Sequence, residues 1–415
     1  AIVGGLDLAF INRPYYAKFQ VSKGTPPYSF ELLRGTLPPG INFHSDGSFS
    51  GIPTVRGDYP IVVRMTDSTA EPFVSEWDVT VQVIAPGLWQ MFQNTKRRVG
   101  TSLVAGPSQY SSLWVCPNSS IGNMAPAIQH TDIYYGASWP SNTVWKINAS
   151  GVKQWQSNGN VGGHLHGTPA IGLEGESANS VYIGGGYILD INKTTGNANW
   201  STNPDGYGDY IALGNNSTVY AHRWANTMYG VRDIGSTYSM VFTGVDNHKC
   251  RGGAALYDLY DEGEIMVWGG RHGAIYAVRT SDFSYLWTLE LPGTRIDSTP
   301  SVDSLNMLYF AGSLYDKEYF FAVDGRNGKI IWDIRTGRDS IWCAASGALS
   351  ADQKTYYVQT QGTLAQPTEP TELIGKLYAI NTADGTIKWE YNTMQYGGDS
   401  EGSSAIVDKD GKVYI

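Results

Sequence analysis

The chain has 415 residues, including 49 glycines, 27 tyrosines and 13 tryptophans, and only 16% of them are charged, below the roughly 25% usual for soluble domains. Aromatic residues at 13% exclude a disordered chain, and short apolar runs punctuated by glycine exclude a coiled coil, a helical bundle or a collagen repeat. A net charge of −9 argues against a nucleic-acid partner, since the one basic cluster, Lys96-Arg97-Arg98, is too short to track phosphates, and no apolar run approaches the ~18 residues of a membrane span.

The chain opens at Ala1 without a methionine or a signal-like segment, as a mature secreted protein does once its leader is removed, and as an edited chain does too. Residues 1–10 are apolar with few charges. Two assignments fit them. They form the first strand of the domain that follows, or Ile2, Val3, Leu6, Leu8 and Phe10 insert as a donor strand into a neighbouring subunit and build a head-to-tail filament.

Pro26-Pro27 leads into a strand through Leu32, and Leu37-Pro38-Pro39-Gly40 is a turn. Asp46-Gly47 closes a tight hairpin, because Asp-Gly supplies the positive φ that such turns need. An alternating strand covers Gly57–Ser68, and another covers Glu76–Ile84 with Trp77, Val79, Val81 and Val83 on one face. Short strands with turns every ~8–12 residues predict a small β-sandwich over residues 1–86.

The run LPPGINFHSDGSFSGIPTVRGDYPIVVRMTDS resembles the putative-Ig, cadherin-like domains of secreted and surface proteins, over roughly residues 8–84. The resemblance implies an extracellular spacer or adhesion module without catalysis. Asp67 stands where calcium-binding cadherins carry an acidic ligand. No complete carboxylate set accompanies it, so it is expected to be a solvated turn residue.

From about residue 87 the chain repeats itself. Phrases such as Leu377-Tyr378-Ala379-Ile380-Asn381 recur, each followed by a tryptophan: Trp155, Trp200, Trp287, Trp332 and Trp389. The third copy carries Met240 instead, an apolar substitute. In the cleanest copies Ala277, Ala322 or Ala379 lies ten positions before its tryptophan. A small apolar strand (Ala125–Ile128, Thr168–Ile171, Thr299–Val302) and an aromatic strand (Ile133–Tyr135, Val181–Ile183, Leu308–Phe310) precede each phrase. Small residues suit inner strands crowded round an axis, and bulky rings suit the widening wedges between blades. The expected fold is all-β: the sandwich, then over residues 87–415 a β-propeller of about seven four-stranded blades.

The repeat phrase resembles that of pyrroloquinoline-quinone-type propellers, a superfamily that includes quinoprotein dehydrogenases and the non-catalytic outer-membrane-assembly lipoprotein. Trp89–Asn94 followed by Arg98-Val99-Gly100 also resembles the segment before the first blade of such propellers. The resemblance implies that the five tryptophans dock one blade on the next. Its enzymatic branch has adjacent cysteines over the quinone and a calcium held by Glu, Asn and Asp. Here Cys116, Cys250 and Cys343 are far apart, show no CxxC spacing, and are expected to be free thiols.

His164 and His166 would project to one side of a strand and could chelate a metal. With no third ligand in view, loop histidines are the simpler assignment. His272 fits a hairpin, and Asp258–Glu264 a solvated blade turn. Six sequons, at Asn118, Asn148, Asn192, Asn199, Asn215 and Asn216, fit a glycosylated extracellular protein, and equally a set of turn residues.

The last unit holds only Ser403–Val407 and Val413-Tyr414-Ile415. Ser112–Cys116 is the expected outer strand that completes it from the N-terminal side. Even so one strand is missing, which leaves an open edge at Val413, Tyr414 and Ile415. A truncated sequence, an incomplete blade and a strand supplied by a partner all account for it.

The expected function is therefore that of a secreted, non-enzymatic structural or interaction protein. It has no cofactor, and its partners are proteins, including copies of itself, and glycans. A quinoprotein-like or metal-dependent enzyme with its site at the propeller mouth, and a phage or virus attachment protein, are the alternatives.

Overall fold

The computed structural model describes residues 2–85, 88–102, 125–137, 142–159, 167–173, 175–202, 210–223, 227–243, 252–339, 345–360, 375–393 and 404–415. Among these there is no α-helix; two short 3-10 turns, Gly175–Asn179 and Asn215–Ser217, interrupt an otherwise all-β chain.

The sandwich uses nine strands: β1 (Ile2–Val3), β2 (Ala9–Phe10), β3 (Tyr15–Lys18), β4 (Gln20–Val21), β5 (Ser29–Gly35), β6 (Ile41–Phe43), β7 (Ser48–Gly51), β8 (Gly57–Thr66) and β9 (Val74–Ile84). One sheet has the order β2-β9-β8-β5, the second β3-β7-β6, and β1 pairs with β4. The Asp46-Gly47 turn joins β6 to β7, with Gly47 at φ 82°. Phe19, Phe30, Phe49, Ile61, Val63, Met65, Val79, Val81 and Val83 fill the space between the sheets.

The N-terminal segment folds within its own chain. Ile2 is paired with Val21 in the sandwich core, Leu6 is buried beside it, and Leu8 is buried against the propeller side chains Tyr309, Phe320 and Tyr356. Val3 and Phe10 are half-buried. The donor-strand assignment is thereby corrected, since releasing this segment would open two apolar cores at once. Leu8→Ala is expected to cost about 2–4 kcal/mol, the range for emptying a packed leucine site, read from the urea unfolding midpoint.

Asp67 is also not solvated. It is buried in its turn, where its carboxylate accepts from the Thr25, Thr69 and Phe73 amides. Those donors, Thr25 first, hold its pKa down at about 2.

Among the described residues seven sheets follow. Six have four or five strands, and their inner strands are short and small: Ala127–Gln129, Ala170–Ile171, Ala212–Leu213, Ala255–Leu259, Ser301–Val302 and Ala348–Leu349. The seventh sheet has two strands, Ile406–Val407 and Val413–Tyr414. Its turn is built like that of the fifth. Asp408 Oδ1 accepts the amides of Asp410 and Lys412, and its Oδ2 the Tyr414 hydroxyl. Asp303 does the same for Leu305, Met307 and Tyr309.

The ten-residue spacing has a direct cause. Ala277, Ala322 and Ala379 are the cross-strand partners of Trp287, Trp332 and Trp389, with a register shift just after each alanine. The small side chain leaves room for the indole, which then reaches the next blade. Trp155, Trp287 and Trp332 donate their indole N–H to the carbonyls of Lys193, Gly325 and Thr382, at 3.0, 2.7 and 2.8 Å. Three residues beyond each carbonyl lies a left-handed glycine, Gly196, Gly328 or Gly385, on which a Cβ would stand within 3 Å of the indole ring. Only glycine meets both demands. Trp200 differs: it donates to Asp233 Oδ1.

Two copies depart from the expected docking. Met240 is half-exposed and so does not replace a docked ring, and Trp389 is 43% exposed, its ring tilted at 42° to Tyr357 of its own blade.

Asp190, the cross-strand partner of Trp200, is fully buried. Burial raises its pKa to about 7, against the opposing bonds from Asn199 and Ser180. The folded state therefore holds this proton more tightly than the unfolded chain, and stability falls as pH rises from about 4 to about 7. Asp190→Asn should remove that slope. We expect the variant to exceed the parent by on the order of 4 kcal/mol at about pH 8 and to match it near pH 4, in melts across the range.

Candidate functional site

The segment 88–102 runs through the centre of the propeller and touches every blade. Leu88 and Trp89 pair with Gln129 and Ile128 of blade 1. The Gln90 carbonyl accepts the Ile171 amide of blade 2 at 2.9 Å. The carbonyls of Lys96, Arg97, Val99 and Gly100 accept the amides of Leu256, Val302, Leu349 and Val407, in blades 4, 5, 6 and 7. Blade 3 is held by a side chain, Arg98 Nη2 donating to the Ile211 carbonyl at 2.8 Å. To turn within so narrow a space, Gln93, Asn94 and Arg98 adopt left-handed φ values of 55°, 70° and 58°, uncommon outside glycine and held by the surrounding bonds.

The three basic residues dismissed above as too short for nucleic acid are the hub of this arrangement. Arg98 is fully buried and donates to the carbonyls of Phe92, Ile211 and Ala254. Burial pushes its guanidinium down to about 9, so it remains charged at neutral pH. Arg97 donates to the Asp303 carbonyl, Asn306 Oδ1 and Thr80 Oγ1, which ties the axis to the sandwich. For Lys96, burial alone would lower the ammonium pKa, but Glu264, Asp258 and Asp58 hold it above its ordinary value. Asp258 and Glu264 lie 2.7 and 3.1 Å from Nζ and are themselves buried. Both ends of the acidic stretch Asp258–Glu264 therefore form an ion-pair site, and only its tip, Tyr260–Gly263, is a solvated turn.

The sandwich is seated on these same turns. The outer face of β9, which alternation alone would leave in water, lies against the propeller: the Thr80 amide donates to the Ser304 carbonyl at 2.8 Å, and Asp78 Oδ2 accepts the Tyr260 amide at 2.9 Å. Burial raises Asp78 to about 6. Leu6 N donates to Ser304 Oγ, Arg34 pairs with Asp261 at 3.0 Å, and Arg326 lies 5.0 Å from the centre of the Trp77 ring. Leu305 of the propeller completes the sandwich core. Gly5 comes so close that a Cβ would lie 2.3 Å from Gln353 Oε1.

The expected chemical residues fall mainly elsewhere. His164, His166, Asn118, the three cysteines and Ser112–Cys116 lie outside the described residues, and among the described residues no three His, Cys, Asp or Glu side chains are grouped to hold a metal. His272 sits in the turn between two strands of blade 4. Of the sequon asparagines, Asn199 Nδ2 donates to Asp190 and Asn215 Nδ2 to Asp258. Asn148 and Asn192 accept through Oδ1, which fastens their hairpins. Asn216 is exposed in a left-handed turn. At the seventh sheet Val413 and Tyr414 are half-buried and Ile415 is exposed. Beside them the outer strand of blade 6 exposes Ile387, Trp389 and Tyr391.

An Ig-type sandwich locked onto a β-propeller is thus the class of this chain. Residues 6–83 match the family described as Putative Ig domain, and residues 224–415 the family described as Outer membrane protein assembly factor BamB. No curated protein matches the chain. Among solved structures, quinohemoprotein alcohol dehydrogenase ADHIIG from Pseudomonas putida HK5 is 12% identical with a TM-score of 0.57, over 79% of this chain and 69% of that one. The quinohemoprotein alcohol dehydrogenase from Comamonas testosteroni is 11% identical with a TM-score of 0.56, over the same shares. A europium-containing methanol dehydrogenase is 12% identical with a TM-score of 0.51, over 92% of this chain and 84% of that one. At these identities the likeness is one of fold, and fold carries no activity with it.

Proposed function

We propose that this chain is a non-enzymatic interaction protein of the cell exterior, with the propeller as a rigid platform and the sandwich as its fixed arm. The observation that carries this reading is the axial segment. It bonds to all seven blades through its backbone and Arg98, and through Arg97 it holds the sandwich. A body tied together in this way suits the presentation of outer surfaces to a partner.

The surface best suited to a protein partner is the outer strand of blade 6 with the two-stranded seventh sheet, where Ile387, Trp389 and Tyr391 form an exposed apolar stripe. Clustered exposed apolar side chains mark interaction surfaces. A copy of the same chain is one such partner, which would give a polymer.

Sedimentation velocity and electron microscopy of protein from its native source test the reading. Assemblies or complexes are expected, and Trp389→Ser with Tyr391→Ser should dissolve them. A monodisperse monomer, or visible absorbance from a bound quinone, would contradict it.

A further inference from the structure

The tryptophans that close one blade on the next are received by turns of one form. Trp155, Trp287 and Trp332 sit on the turns 192–196, 324–328 and 381–385 of the following blade, each of which runs Asx-x-x-x-Gly. The glycine amide of Gly196, Gly328 or Gly385 donates back to the carbonyl of Asn192, Asp324 or Asn381, at 2.9, 2.8 and 2.9 Å. The Asx Oδ1 accepts the amide two residues on. The glycine is left-handed, at φ 76°, 74° and 77°, and a Cβ on it would stand 2.9, 2.8 and 2.8 Å from the indole. Trp200 is received by a shorter turn, on Asp233, which also binds the amide of left-handed Gly235.

The copy without a tryptophan is the control. Met240 belongs to blade 3, and the matching turn of blade 4 closes on Phe283, whose amide donates to the Arg279 carbonyl at 3.0 Å with φ 60°. Only glycine leaves an indole its seat, and where the glycine is replaced no indole is offered. From blade 1 to blade 6, tryptophan and left-handed glycine are present together or absent together.

Trp389 breaks this rule among the described residues. It is 43% exposed, against 7%, 9% and 8% for Trp200, Trp287 and Trp332, and its indole N–H bonds to no described residue. Its surroundings continue an existing interface. Tyr357, Leu377 and Ala379 of blade 6 pack on Ala405, Val407 and Val413 of the seventh sheet, and the Trp389 ring lies 5.8 Å from that of Tyr357. Ile387 and Tyr391, two residues to either side, share its face of the strand.

We infer that Trp389 docks an Asx-x-x-x-Gly turn carried by a partner polypeptide. The left-handed glycine lies under the indole, and the carbonyl three residues before it accepts the N–H. This rests on the reading of the blade 6 stripe as a partner surface and names what the partner must carry. A different polypeptide is assigned, and not a second copy, because the three described turns of this form already hold tryptophans of their own chain.

Fluorine NMR of the full chain carrying fluorinated tryptophan tests the inference, with the Trp389 signal assigned through Trp389→Phe. The probe is a synthetic hairpin with the sequence of residues 375–393, which contains the turn 381–385, cyclised to hold its shape. The Trp389 signal should respond to heavy water in the chain alone, then shift and lose that response as the hairpin is added. The signal of Trp287, already seated, should stay in place. The same hairpin with Gly385→Ala should bind about tenfold more weakly, the cost of a side chain at a left-handed position. Equal shifts from both hairpins, no shift from either, or a Trp389 signal shielded from solvent before any addition would overturn the assignment. Failure of the underlying reading looks different. If Trp389→Ser dissolves native assemblies while neither hairpin shifts the signal, the partner surface stands and only its turn falls.

Discussion

Replacing Arg98 by alanine is expected to destabilise the protein by about 4 kcal/mol, within the range for stripping a buried charged group from its partners. Three carbonyls, of Phe92, Ile211 and Ala254, would lose their buried donor. Arg98→Lys keeps the charge but not the planar fork, so about half of that loss should remain. The urea unfolding midpoint, at unchanged slope, measures both. A loss below about 1 kcal/mol for the alanine variant would mean that the axial segment does not hold the blades.

The tryptophans should separate into two groups. Trp287→Ala is expected to cost about 3–5 kcal/mol, as truncation of a buried aromatic does. Its ring is buried on Gly328 and its N–H is bonded to Gly325 O. Trp389→Ala, at an equivalent sequence position, should cost about 1 kcal/mol or less, because that ring is 43% exposed. Equal effects in unfolding experiments would contradict the docking account.

The blades were legible in the sequence because each obeys a local rule. Ala322 must face Trp332 across two strands, and Gly385 must turn left-handed beneath that same indole, so spacing and residue type recur together. The sandwich was legible from the alternation of Val79, Val81 and Val83 and from the Asp46-Gly47 turn for the same reason.

The axial segment was not legible in this way. Residues 88–102 bond to partners scattered from Ile128 to Val407, and contacts so distant leave no period. Lys96, Arg97 and Arg98 look like a solvated charge run because most of their acceptors lie more than a hundred residues away in the chain. One trace was present: Thr80 and Gln82, uncharged polar residues on the outer face of β9, mark a face that is buried but hydrogen-bonded. Asp78 on that same face is half-buried and accepts the Tyr260 amide. Whether a half-exposed tryptophan such as Trp389 is docked depends on its neighbour in space, which its own phrase does not encode.

The central claim is that sandwich and propeller form one rigid body. Its most direct test is the distribution of distances between spin labels carried by unnatural amino acids at two exposed positions, Tyr16 in the sandwich and Tyr285 in blade 4. The contacts of Thr80, Asp78, Leu8 and Arg97 predict a single narrow distribution. A broad or multi-peaked distribution, as from a sandwich swinging on a linker, would contradict it.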